Sequence, residues 1–113
     1  MQIVERETGS VTILDLSGKI TLGDGDALLN DKLHSLLHQG KKQVLLNLGD
    51  VNYVDSAGLG ALVSAYTTVA REGGTLKLVS ITRKLQDLLS ITKLLTVFET
   101  FDSEDEAVRS YKK

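Results

Sequence analysis

The sequence predicts an α/β domain: a mixed β-sheet with element order ββαβαβαβα and helices packed on it. Three observations carry this. From residue 44 onward, short apolar runs of strand length alternate with amphipathic helical stretches, the pattern of parallel strands joined by right-handed crossovers. The first two strand-like runs are joined by too few residues for a crossover, so they pair antiparallel. The 113 residues, 42% hydrophobic and 25% charged, suit one globular domain over residues 1–113, large enough to be stable without staples.

Residues 2–7 and 10–17 read as the two antiparallel strands, with Thr8-Gly9-Ser10 as a tight connection. In the second, Val11, Ile13, Leu14 and Leu16 put apolar side chains on both faces. Gly23-Asp24-Gly25-Asp26 breaks the chain, and either aspartate can cap a helix. Leu29, Leu33, Leu36 and Leu37 then form one stripe of a helix ending near Gly40. Residues 44–48, Val-Leu-Leu-Asn-Leu, suit a central strand covered on both faces. A second helix runs from Asp55-Ser56 to about Glu72 along Leu59, Leu62, Val63, Tyr66, Val69 and Ala70, and Gly73-Gly74 stop it. A strand follows at 76–81, then a helix marked by Leu85, Leu88 and Leu89, and a short strand at 96–101. Ser103-Glu104-Asp105-Glu106 has the form of a capping box opening a terminal helix through Ala107, Val108 and Tyr111. Lys112 and Lys113 sit at its negative end. No internal repeat or linker is visible.

Composition narrows the function classes. The net charge is -2, and no basic run tracks phosphates, which argues against a nucleic-acid partner. The chain has no cysteine, so disulfides, thiolate metal sites and cysteine nucleophiles are excluded. The first seven residues carry charge and alternate, unlike a signal peptide. No apolar run approaches the roughly 20 residues of a membrane span. The expectation is a cytoplasmic protein with no membrane contact. Runs such as Glu104-Asp105-Glu106 and Arg83-Lys84 read as solvated faces and helix-end charges.

The informative stretch is Val51-Asn52-Tyr53-Val54-Asp55-Ser56-Ala57-Gly58-Leu59-Gly60-Ala61-Leu62. It lies at the carboxyl end of a buried strand, where open α/β sheets place their sites. Ser56 can be the N-cap of the following helix, its hydroxyl accepting a backbone N–H. Gly58 and Gly60 fall in the first turn, where glycine costs about 1 kcal/mol each against alanine. Either another chain approaches closely there, or the helix packs tightly on the sheet. On these features alone, an ordinary capped helix start and a functional hydroxyl remain equally open.

Asp55-Ser56-Ala57-Gly58-Leu59-Gly60 resembles the D-S-x-G-[LIV]-G signature of the STAS domain family, and more narrowly its anti-sigma factor antagonists. Chain length, element order, Tyr53-Val54 before the motif and Ala61-Leu62 after it fit as well. The resemblance implies an antagonist whose unphosphorylated form binds an anti-sigma factor that is itself an ATP-binding serine kinase, releasing the sigma factor. It implies that this kinase phosphorylates Ser56, that the modification switches binding off, and that a serine phosphatase acting on phospho-Ser56 restores it. Some relatives carry a second hydroxyl after that serine; here the position is Ala57. The partner surface so implied comprises Thr21, Gly23 and Asp24 of the loop after the second strand, with Asp55, Ser56, Gly58, Leu59 and Gly60. Gly58 and Gly60 would admit the partner's backbone, and Leu59 would add apolar contact. Family members often carry an aspartate near Thr21, which this chain lacks. STAS-like modules also serve as unphosphorylated subunits of lipid-transport ABC systems or as scaffold pieces of stress-sensing complexes, which is the rival reading.

An enzyme is not expected. Ser56 as a nucleophile needs a base and an oxyanion site. The histidines, His34 and His38, both lie on the first helix, and Val54 takes the place of the first glycine of a G-x-S-x-G elbow. His34 and His38 have i, i+4 spacing, which permits a metal, with Asn30 or Asp31 a turn earlier. The intervening Ser35-Leu36-Leu37 forms no H-E-x-x-H pattern, and an exposed polar face is the reading adopted; no metal or cofactor is expected. Gly23-x-Gly25 lacks a phosphate-loop continuation.

Overall fold

A computed structural model describes residues 1–21, 23 and 25–111. Asp24, and with it one candidate cap and partner residue, lies outside the described residues, as do Lys112 and Lys113.

Five strands form one sheet in sequence order: β1 (Gln2–Thr8), β2 (Val11–Ile20), β3 (Gln43–Val54), β4 (Thr75–Val79) and β5 (Thr100–Phe101). β1 and β2 pair antiparallel through a two-residue turn, whose Gly9 has φ of +60°, a conformation that suits glycine. The other neighbouring strands pair parallel. Helices α1 (Asp26–His38), α2 (Ser56–Arg71) and α3 (Arg83–Ile91) are the crossovers, and α4 (Glu104–Arg109) follows β5.

Alternation along the strands divides the core. Leu14, Leu16, Leu46, Leu48, Leu76 and Leu78 meet the stripes of α1, α2 and α3 on one face. Val11, Ile13, Leu45 and Val79 meet Ala107, Val108 and Tyr111 around α4 on the other. On this second face the buried Lys77 donates to Ser110 Oγ (2.8 Å) and lies 4.7 Å from the centre of the Tyr111 ring. The Tyr111 hydroxyl donates to the Val44 carbonyl, and burial holds its pKa well above that of an exposed phenol. Arg6 joins Asp15 (2.5 Å) to Glu104 (2.6 Å), fastening α4 to the hairpin.

Several boundaries differ from expectation. β3 runs through Gly49-Asp50 to Val54, because its outer half pairs with Ser17–Ile20 of β2 across two register shifts. The strand expected at 96–101 is only Thr100–Phe101; Leu94–Thr96 form a 3-10 turn. The α2 stripe buries Ala65 rather than Ala70, which is exposed. Gly25, not an aspartate, occupies the cap position of α1. Asp26 is the first helical residue, and its carboxylate accepts from Gly23 N (3.0 Å) and Ala27 N (2.8 Å). Ser103 caps α4 as expected, its Oγ accepting from Glu106 N at 3.2 Å, while Glu106 Oε1 accepts from the Ser103 hydroxyl (3.3 Å).

Candidate functional site

The ends of β2 and β3 lie side by side, with Lys19 opposite Tyr53 and Ile20 opposite Val54. This brings the starts of α1 and α2 to the same edge of the sheet. Asp55, extended at φ −91° and ψ −176°, is the N-cap of α2. Its carboxylate accepts from Gly58 N at 2.7 Å and its carbonyl from Leu59 N at 2.9 Å. Its own N–H donates to the Ile20 carbonyl at 3.4 Å.

Ser56 is therefore not the cap. It is the first helical residue, exposed to solvent. The expected capping role passes one residue back, because a carboxylate at 55 is spaced to reach the amide three residues on. Capping and an accessible hydroxyl are thus carried by two adjacent side chains.

The two motif glycines separate. A Cβ on Gly58 would lie 1.8 Å from the Ile20 carbonyl oxygen and 2.7 Å from its carbon. The backbone that approaches Gly58 is the chain's own, and a partner's backbone has no access to this buried residue. A Cβ on Gly60 would meet nothing within 4 Å, and Gly60 is exposed. Leu59, 8% exposed, points into the core, so its expected apolar contact with a partner is replaced by packing under α2. Thr21 is half-buried and Gly23 exposed beside the start of α1.

Two depressions flank this edge. One, about 320 Å³, runs between α1 and α2 and is lined by Asp26, Ala27, Asn30, Ala57, Gly60, Ala61 and Ser64. The other, about 250 Å³, lies between the end of β3 and α3. Sequence reasoning missed the second; the signal that could have found it is the aromatic Tyr53 next to the motif, 55% exposed. His34 and His38 lie elsewhere, in a groove with Thr68, Arg71 and Glu72. Thr68 is twelve residues along α2 from Ser56, about 18 Å at 1.5 Å per residue, so neither histidine can serve Ser56 as a base. Among the described residues no three His, Cys, Asp or Glu side chains are grouped to hold a metal ion.

Residues 2–107 match the sequence model of the STAS domain. The chain belongs to the STAS domain family. A curated relative, the anti-sigma-B factor antagonist of Bacillus subtilis strain 168, is 38% identical over 72 residues, 64% of this chain. The match spans 65% of that relative's length. Among solved structures, a proposed anti-sigma factor antagonist of Thermotoga maritima superposes with a TM-score of 0.90 at 24% identity, over 98% of this chain and 95% of its own. The Bacillus cell-fate determinant SpoIIAA in its phosphorylated form superposes with a TM-score of 0.76 at 15% identity, over 98% of this chain and 100% of its own. These likenesses establish the STAS fold. Among the described residues no helix is long and apolar enough to cross a membrane.

Proposed function

We propose that this chain is an anti-sigma factor antagonist that works by partner switching and has no catalytic activity of its own. The unphosphorylated form docks on an anti-sigma factor and releases the sigma factor. The anti-sigma factor, acting as a serine kinase, transfers the γ-phosphoryl group of ATP to Ser56 Oγ, which loses its proton, and ADP leaves. A serine phosphatase hydrolyses phospho-Ser56 and resets the switch. ATP and sigma factors place this exchange in the cytoplasm.

The observation that carries the reading is the exposed Ser56 at the start of α2, with Asp55 holding the cap. The names of the relatives support it. Modification leaves the Asp55–Gly58 bond in place and adds about 1.5–2 negative charges. At a helix N-terminus such charge is favourable by about 0.3–1 kcal/mol. In an interface it is not. A desolvated dianion without a cationic partner costs several kcal/mol, and each 1.4 kcal/mol is about tenfold in affinity. A loss of roughly two to three decades follows with no change of shape. Asp55 and Asp26 add like-charge repulsion to the same edge.

The test is phosphosite mapping by mass spectrometry after incubation with ATP and the anti-sigma kinase, alongside binding of Ser56→Ala and Ser56→Asp. Phosphate on Ser56, and binding retained by Ser56→Ala but lost by Ser56→Asp, is the expected result. Phosphate elsewhere with Ser56 untouched, or equal affinity of the two variants, sinks the proposal.

A further inference from the structure

The depression between β3 and α3 has a different character from the rest of the Ser56 edge. Val51 and Leu85 floor it, each 4% exposed, with the half-buried Val54 and Leu88 beside them. Tyr53 and Lys84 stand exposed at its rim. Leu88 and Ile91 follow Lys84 at i+4 and i+7, so the three share one face of α3, spanning about 10 Å. Ile91 is 79% exposed. Tyr53, 55% exposed, thus stands over an apolar floor, and Ile91 continues the Lys84–Leu88 face of α3 beyond it. By contrast, the α1–α2 depression is lined by small and polar residues.

We propose that this groove is the anchoring site of the anti-sigma factor that reads Ser56, and that it receives an apolar side chain of that partner, with a carboxylate beside it for Lys84. The inference rests on the proposed function, because continuity with Ser56 chooses the occupant. Tyr53 is three residues from Ser56, at most about 10 Å along the chain. A standard interface covers about 800 Å² on each partner, a disc of roughly 16 Å radius if circular. A patch of that size centred on Ser56 extends past Tyr53 to the groove. Binding energy concentrates where aromatic and apolar anchors fill desolvated pockets ringed by polar residues, and this groove has that composition. The division of labour is then spatial: the groove supplies affinity and Ser56 supplies the veto.

The experiment measures binding of purified Bacillus subtilis anti-sigma-B factor to the wild-type chain and to Tyr53→Ala, Lys84→Glu, Ser56→Ala and Ser56→Asp. Tyr53 and Lys84 are exposed, and circular dichroism checks that their variants fold. Tyr53→Ala and Lys84→Glu are each expected to weaken binding at least tenfold, with Ser56→Ala near wild type. If both groove variants bind like wild type while Ser56→Asp does not, the groove is refuted and the switch stands. If the wild type does not bind this partner, that result counts against the proposed function, and the groove is judged by NMR titration with phenylacetate. A saturable shift confined to Val51, Leu85 and Leu88 methyls and abolished in Tyr53→Ala supports the groove; no such shift overturns it.

Discussion

Replacing Gly58 by alanine is the sharpest perturbation of the Ser56 edge, because a single added methyl has nowhere to go. It would sit 1.8 Å from the Ile20 oxygen, 2.7 Å from the carbonyl carbon and 3.1 Å from Cγ2 of the same residue. A real Cβ keeps at least 3.0 Å from such atoms, so α2 and the end of β2 must part by more than about 1 Å. That movement strains the Asp55 N–H bond to Ile20 and the Asp55 cap on Gly58. Overpacking costs about 1–3 kcal/mol and a weakened cap about 1 kcal/mol. The better helix propensity of alanine returns about 1 kcal/mol. The net loss is about 1–3 kcal/mol, a large share of the roughly 5–15 kcal/mol typical of a domain. Urea denaturation followed by circular dichroism reads it directly. With m near 2 kcal/mol/M, a 2 kcal/mol loss lowers the midpoint by about 1 M. Gly60→Ala is the control: with open space around it, it should gain about 0.4–1 kcal/mol. An unchanged midpoint for Gly58→Ala, or equal losses for both variants, would refute the packing argument.

Three further outcomes follow from the same geometry. Asp55→Ala removes the α2 cap and should cost about 0.5–2 kcal/mol in urea denaturation, with Asp55→Asn closer to wild type. Lys93, two residues past the end of α3, has φ 63° and ψ 24°, so Lys93→Gly should stabilise the fold by up to about 1 kcal/mol, read as a raised thermal midpoint. The pKa values of Glu5, bonded to Lys32 and Lys41, and of Asp15, bonded to Arg6 and then Asn47, are lowered in the fold. Their stabilisation is therefore full above the unfolded carboxylate range near about pH 4 and is lost as pH falls through the lowered folded values. An Arg6→Met variant should show a shallower loss of stability on acidification, measured by urea denaturation between neutral pH and pH 3.

Periodicity was enough to read the architecture, because each crossover helix carries one apolar stripe and each central strand an apolar run. Places where tertiary pairing overrides local chemistry were not legible. Gly49-Asp50 has the composition of a break, yet β3 passes through it because β2 offers backbone partners as far as Ile20. β5 is shorter than the apolar run 94–98 suggests because that run packs as a turn beside α3 and α2, with Phe98 edge-on to Tyr66 at 5.5 Å. At the motif, spacing located the helix start but not which of Asp55 and Ser56 caps it. Gly58 and Gly60 look equivalent in the sequence; Ile20, thirty-eight residues before Gly58, makes them opposite. Leu59 belonged to the α2 stripe from the outset, and its burial follows from that stripe rather than from the motif.

The Ile20 carbonyl is the point at which the Ser56 edge is bolted to the sheet: it takes the Asp55 N–H and leaves Gly58 no clearance. With no clearance at Gly58, the start of α2 has no room to move toward β2 when its first residue changes. Phosphorylated and unphosphorylated forms would then present one contour with two charges, and discrimination would be shared with the solvent. At physiological ionic strength charges on free molecules are screened over about 8 Å. Much of the dianion's effect would then be felt as water leaves the contact and screening falls away. Signalling of that kind would be decided in the lifetime of the complex.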